Sequence, residues 1–391
     1  MTDIRSRPDL RSGPYPDPRL AVSRRLRATP FTSRVFERGA QAFTVYNHML
    51  LPVEFESLAE DCRHLREAVQ VWDVGAERQV SLEGPDATRL VQWMTPRDVS
   101  GVATDRCVYL PLVDENGRLL NDPVGLRLAE DRWWLSVADS DMLYWAKGLA
   151  RGAGLDVRVH EPDVWPLAVQ GPLADALMAR VFGDAVADIR FFRHRSLEFR
   201  GHPLIVSRSG WSKQGGFEIF VDDAELGAAL WDELFDVGAD LDVRAGGPNL
   251  IERLEGGLLS YGNDMDWRHS PLEAGLGAFC SLDSDTEALS LEALRAERDA
   301  GPKRRLRGLT LAADLGPRSF DGAPFAHLGD EAGKSFIGSQ VWSPLYHRQL
   351  ATAMLDEPLA SRDTLEVALS DGTRAEVRVT DLPFDFGALG A

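Results

Sequence analysis

A strand, a Gly-Pro pair and a helix follow one another twice in this chain, and few folds accommodate that. From Gln79 to Met94, the alternating QVSLEG runs into Gly84-Pro85 and then a helical stretch opened by Asp86, with Leu90, Val91 and Met94 on one face. From Pro166 to Phe182, PLAVQ runs into Gly171-Pro172 and a helix carrying Leu173, Leu177 and Val181. Proline near a first helical turn forfeits no needed hydrogen bond, so the same punctuation works at both places. A recurrence of 87 residues (171 minus 84) is too long for a solenoid and points to two related α+β subdomains. Between the two units, RCVYLPLVD, the Asn116-Gly117 turn, LLNDPVGLRL, a turn at Glu130-Asp131 and RWWLSVA alternate like an antiparallel meander.

After the second unit a helix is expected near Asp223 to Val237, with Leu226, Leu230, Leu234 and Phe235 at core spacing and Asp222 or Asp223 as its N-cap. Beyond Ser284, the charged helix LEALRAERD precedes short strands split by Gly, Pro and Asp-Gly turns, which favours a small β-barrel or jelly roll. A chain of 391 residues with 44% apolar content has room for two or three domains. The expected division is a loose Arg- and Pro-rich tail over 1–28, a ligand-binding region of two α+β subdomains over 29–284, and a C-terminal β-barrel over 285–391.

The formal charge of −18 argues against general affinity for nucleic acid or anionic membranes, and it steers cations inward. No apolar run reaches the length of a membrane span. Cys62, Cys107 and Cys280 are an odd, widely spaced trio without a CxxC, as expected of reduced thiols in a cytoplasmic protein. Of the eight histidines, His48, His160, His194, His202, His269, His327 and His347 are dispersed, so no metal site is expected. GxGxxG opening an early βαβ unit, GxxxxGK[ST], HExxH and GxSxG are all missing. A separately bound small coenzyme fits better than an embedded redox group.

The candidate chemistry lies between Ile205 and Gly277. There IVSRSGWSKQGGFEIFV, one amphipathic helix, GGPNLIERLEGGLLSYGNDMD and SPLEAGLGAF follow in order. Two glycine-broken segments carrying Trp211, Glu218, Arg253, Glu255 and Tyr261 thus bracket a helix. Glu218 follows Gly215-Gly216 on a strand, where the backbone approaches a flat ligand and the carboxylate meets its edge. A solvated strand glutamate is the plainer alternative. Asp122 in LLNDPV has a strand-terminating role as its alternative, Arg253 an ion pair with Glu255 or a neighbouring carboxylate, and Trp211 and Tyr109 simple core packing.

These segments resemble the G-Y-T-G-E-x-G-F-E and L-R-L-E-A-G-L motifs of the folate-dependent methyl and aminomethyl transferases built like the glycine cleavage T-protein. Within that family SRSGWSKQGGFEI, LLSYGNDM, TPFTSRV, VYNHMLLPV and WDVGAERQV are similar to the dimethylsulfoniopropionate demethylases, from about Thr29 to the C-terminal region. The resemblance implies an α+β fold of two ferredoxin-like subdomains plus a C-terminal barrel. It implies tetrahydrofolate as methyl acceptor and a small onium compound as donor. Glu218 would hold the pterin. Tyr109, thirteen residues before Asp122, and Arg253 would lie at the folate. Asp122 matches the second Asp of a family Asp-Asp pair, Asn121 replacing the first, and would orient N5 or take its proton. Trp211 and Phe220 would face the donor, Phe220 standing where those demethylases carry Tyr, and Leu272 and Ala274 where they carry Tyr and Cys. Two alternatives stay open: a folate-linked demethylase or aminomethyltransferase acting on a methylated amine or aryl methyl ether, and a non-enzymatic folate-binding protein. A homodimer is also left open.

Overall fold

The computed structural model describes residues 22–311, 316–317, 335–369, 371–385 and 387. Residues 1–21 of the expected tail, and His327, lie outside that set. Two sheets organise the larger region. One runs Arg158–His160, Gln79–Glu83, Arg132–Ser136, Val124–Ala129, Cys107–Tyr109 and is antiparallel throughout. The other runs His194–Phe199, His202–Ser207, Gly216–Val221, Trp165–Gln170, Val69–Asp73, Val243–Gly246, with only the last pair parallel.

The sequence recurrence is a recurrence of backbone geometry. Gly84 and Gly171 both sit at positive φ, +137° and +127°, and a Cβ on either would stand 2.5 or 2.4 Å from a carbonyl oxygen, that of Asp156 or Ala68. No side chain fits, so glycine is required twice for one reason. In each unit the glycine carbonyl accepts from the alanine amide that opens the helix, at 2.9 Å for Ala87 and 3.0 Å for Ala174. The helices span Ala87–Met94 and Ala174–Phe182, so both prolines precede the helix rather than sit in its first turn. Asp86 does not cap its helix; its Oδ2 accepts from the Asp156 amide at 2.8 Å and pins the neighbouring strand instead.

Each sheet carries a pair of helices on one face, and a further helix, Leu58–Glu67, packs Leu65 on Trp72 and Ala168 at the other face of the six-stranded sheet. Ala87–Met94 and Met142–Ala153 cover the five-stranded sheet through Leu82, Leu90, Trp133, Leu135 and Ala146. Ala174–Phe182 and Ala224–Val237 cover the six-stranded sheet through Val71, Val169, Leu177, Ile219 and Trp231. Asp223 caps the second of these, accepting from the Leu226 amide at 2.7 Å. The faces opposite the helix pairs meet along a seam of Cys107, Leu126, Trp134, Ile205 and Phe220. Strand alternation, one set of side chains to the helices and the other to the seam, thus builds a four-layer body.

Past the helix Leu291–Ala300, a five-stranded antiparallel sheet runs Phe336–Ser343, Arg348–Asp356, Arg304–Leu311, Arg374–Thr380, Thr364–Ala368 around Leu309, Ile337, Ala353 and Val377. Among the described residues its hydrogen-bonded order is open. No helix among them is long and apolar enough to cross a membrane.

Candidate active site

Where these facing sides of the two sheets part, they leave a cavity of about 1330 Å³ that also borders the segment Gly257–Tyr261 and the C-terminal Leu382-Pro383. Asp122 and Glu77, from the first subdomain and its connection, and Glu218 from the second share it; Glu273 and Asp381 also line it but are ion-paired, with Arg304 and Arg307.

Asp122 occupies the bend between the strands Leu119–Asn121 and Val124–Ala129. Asn121, wholly buried, sets that bend: its Oδ1 accepts from the amides of Asp122 at 3.0 Å and Ala138 at 2.9 Å, and its Nδ2 donates to the Ala138 carbonyl and Ser140 Oγ at 3.0 and 2.7 Å. A carboxylate at 121 could not donate those last two bonds. The Tyr109 hydroxyl donates to Asp122 Oδ2 at 2.9 Å. Burial pushes Asp122 up to about 7, the tyrosine bond working against it. Burial, and then the adjoining carboxylate, drive Tyr109 well above its ordinary value.

Glu218 is on the strand Gly216–Val221. Phe217, Ile219 and Val221 face the helices, so Glu218 and Phe220 face the seam. The Ser209 hydroxyl donates to Glu218, and burial raises its pKa. Glu77, in the connection between Val69–Asp73 and Gln79–Glu83, is raised to about 8, first by burial and then by Glu218, with Asp122 adding to it. Its hydrogen-bond donor is the Ser136 hydroxyl at 3.5 Å, which opposes the rise. Sequence reasoning missed Glu77. The residue lies inside WDVGAERQV, yet a charged side chain in a turn reads as solvated until a second sheet covers it.

Trp211 lines the cavity from a loop held at both ends. Gln170, fully buried, donates to the Ser209 carbonyl at 3.1 Å and accepts from Ser212 Oγ at 2.8 Å. The Lys213 amide and Gln214 Nε2 donate to Glu252 Oε1 at 3.1 and 2.9 Å. Gly216 is needed by its neighbour strand rather than by a ligand, since its Cβ would stand 2.2 Å from the Val169 carbonyl oxygen; Gly215 borders the cavity.

The structure therefore brings Tyr109, Asp122, Trp211 and Glu218 to one cavity, together with Tyr261, Leu272 and Ala274. Arg253 and Phe220 are not on its surface. Arg253 Nη1 donates to Asp264 Oδ2 at 2.7 Å and to the Leu258 carbonyl at 3.1 Å, while Nη2 donates to Ser339. Asp264 in turn accepts from Ser339 and Thr352 of the C-terminal sheet at 2.7 and 2.6 Å. Arg253 thus pairs with Asp264 and not with Glu255, which binds Arg66. Its guanidinium lies 5.6 Å from the centre of the Trp211 ring, backing the cavity wall instead of forming it. Phe220 is one residue pair further along its strand than Glu218. There the sheets have already closed, and it packs on Trp134 at 5.8 Å with 2% of its surface exposed.

Residues 31–284 match the family described as the GCVT N-terminal domain. The chain belongs to the GCVT family. It is 52% identical over 90% of its length, and 96% of the relative's, to a dimethylsulfoniopropionate demethylase of Ruegeria pomeroyi. To an aminomethyltransferase of Lysinibacillus sphaericus it is 29% identical over 93% of its length and 99% of the relative's. The crystal structure of the glycine cleavage system aminomethyltransferase T of Bartonella henselae superposes with a TM-score of 0.78 at 22% identity, covering 92% of this chain and 98% of that one. The α+β fold expected from the sequence is that of this GCVT structure.

Proposed function

We propose that the protein is a tetrahydrofolate-dependent methyltransferase that demethylates dimethylsulfoniopropionate, giving 3-(methylthio)propanoate and 5-methyltetrahydrofolate. The observation that carries this reading is the 52% identity over 90% of the chain to a demethylase of that name, against 29% to the aminomethyltransferase. The cavity suits the substrates. Its roughly 1330 Å³ exceeds the ~300–1,000 Å³ that houses one ligand of ordinary size, so folate and donor have room side by side. The carboxyl groups of Glu77, Asp122 and Glu218 and an aromatic wall make it hospitable to a cation.

In this reading Glu218 accepts hydrogen bonds from the pterin edge, an N–H and an exocyclic amine side by side. Trp211, backed by Arg253, presents its face to the onium methyl. The methyl–sulfur bond breaks with its electron pair left on sulfur, and the N5 lone pair forms the new bond to carbon. N5 then loses its proton, and the leaving thioether, being neutral, needs none. Asp122, held near 7 and oriented by Tyr109 and Asn121, is the base that takes that proton. Strong cation binding would stabilise the donor over the transition state, in which the charge is fading, so position counts for more than a tight cage.

The test is direct. Purified protein given tetrahydrofolate and dimethylsulfoniopropionate should form 5-methyltetrahydrofolate and the thioether acid in equal amounts. Turnover of a methylated amine or aryl ether, with none of dimethylsulfoniopropionate, would overturn the donor; no methyl transfer from any donor would overturn the enzyme.

A further inference from the structure

The cavity is acidic in its depth, but two arginines on its wall have no acidic partner. Arg97 and Arg106 both line it, and neither makes an ion pair among the described residues. This is unusual in a chain whose formal charge is −18. The acids nearest in sequence are engaged elsewhere: Asp98 accepts from the Ser100 amide at 2.9 Å, and Asp105 pairs with Arg193.

Both arginines stand on fixed backbone. The carbonyl of Arg97 accepts from Gln92 Nε2 at 2.9 Å, and Gln92 Oε1 accepts from the Val99 amide at 3.0 Å, which locks the turn after the helix. The Arg106 amide donates to the Ala103 carbonyl at 3.1 Å, and its carbonyl accepts from the Arg127 amide at 3.0 Å, just before the strand Cys107–Tyr109. Arg97 Nη1 donates to the Tyr109 carbonyl at 2.8 Å and its guanidinium lies 5.4 Å from the Phe279 ring centre, leaving its other N–H groups for the cavity. Burial makes the charge on Arg97 costly, and the neighbouring Arg106 cation adds to that cost. Arg97 is thus one tyrosine away from Asp122, because Tyr109 receives Arg97 on its carbonyl and gives its hydroxyl to the carboxylate.

A pair of like charges, Arg97 half-buried and Arg106 exposed at the cavity's edge, each with N–H donors of its planar fork free, matches a carboxylate. We propose that Arg97 and Arg106 anchor a carboxylate carried by one of the two substrates, either the propanoate of the donor or the glutamate of the folate. This rests on the functional reading above. It assigns the cavity a polarity, with the reacting onium directed to the carboxyl-lined depth and the ligand's anion to the arginines.

The experiment is calorimetry on the full-length protein with two ligand pairs: dimethylsulfoniopropionate and its methyl ester, and 5-methyltetrahydrofolate and its dimethyl ester. Wild type should prefer the acid to the ester in one pair. The Arg97→Gln/Arg106→Gln variant should lose that preference by at least about tenfold, the size of a lost charged hydrogen bond, with the ester's affinity little changed. Collapse in the first pair identifies the propanoate, and in the second the glutamate. Arg97→Lys, which keeps the charge, should recover part of the preference. A variant with wild-type melting behaviour that keeps the preference, or that loses acid and ester equally, overturns the anchor. If wild type binds neither pair, the functional reading falls and takes the anchor with it.

Discussion

Asp122 has been given the means to change protonation near neutrality: burial lifts its pKa to about 7 while Tyr109 and its own amide hold its geometry. A base works only when ionised, so the transfer rate at saturating substrates should rise as pH climbs through about 7 and then level. Asp122→Asn should lower the rate by roughly 10²–10⁴ and remove that rise, with donor affinity nearly unchanged. A wild-type profile flat from pH 6 to 8, or a loss confined to donor affinity, contradicts the assignment. Phe220 leads to the opposite expectation from the one its motif suggests. With its ring sealed among Cys107, Leu126 and Val164, Phe220→Tyr would bury a hydroxyl without a partner, destabilising the fold by about 1–3 kcal/mol in denaturant titration. A Phe220→Tyr protein of unchanged stability and faster demethylation would mean that the ring does reach the donor.

The twice-used strand–Gly–Pro–helix unit works because a glycine at positive φ lets the helix start tuck beneath a carbonyl of the adjoining segment. Gly84→Ala and Gly171→Ala add strain and a clash together, since the nearest oxygen would be 2.5 or 2.4 Å from the new carbon. Each should cost at least about 2 kcal/mol in equilibrium unfolding. Gly154→Ala supplies the control. It caps the helix Met142–Ala153 at φ +66° with open space around it, and should cost only about 1 kcal/mol. Equal effects at all three sites would mean that backbone strain alone, and not the close approach, sets the requirement.

Three buried acids make the molecule as a whole a proton store. Asp73 is raised to about 6, Asp122 to about 7 and Glu77 to about 8, all chiefly by burial. In the unfolded chain such groups release protons near 4. Between those values the folded state holds more protons than the unfolded one, so this stabilisation is complete below about 4 and is lost as pH rises through 6 to 8. His194 and His269, lowered by burial, act in the opposite sense, but only below about 6.5. The unfolding free energy should therefore fall between pH 6.5 and 8.5, by on the order of 1.4 kcal/mol per pH unit for each proton held, and the melting temperature should fall with it. In Glu77→Gln/Asp122→Asn the fall should be shallower. A melting temperature that rises across this interval would mean that the carboxyls are already ionised in the folded protein.

Much of this architecture follows from local chemistry. Period-two and helical spacing, the Gly-Pro punctuation and the N-cap at Asp223 concern neighbours along the chain, and the meander, both repeat units and the helix Ala224–Val237 stand where those patterns put them. Residue types narrowed the chemistry as well: Tyr109, Asp122, Trp211 and Glu218 were legible because their motifs are contiguous, and they do converge on one cavity. Contacts between distant segments were another matter. Glu218 and Phe220 share a strand face, yet only the convergence of the two sheets leaves one open and seals the other. Arg253 lies four residues from the helix cap Asn249, but its partner Asp264 is fixed by Ser339 and Thr352, 75 and 88 residues further on. Glu77 turns inward, and Arg97 and Arg106 stay without acidic partners among the described residues, for the same physical reason. Burial and pairing of charge depend on which surfaces meet, and spacing along a chain carries no record of that.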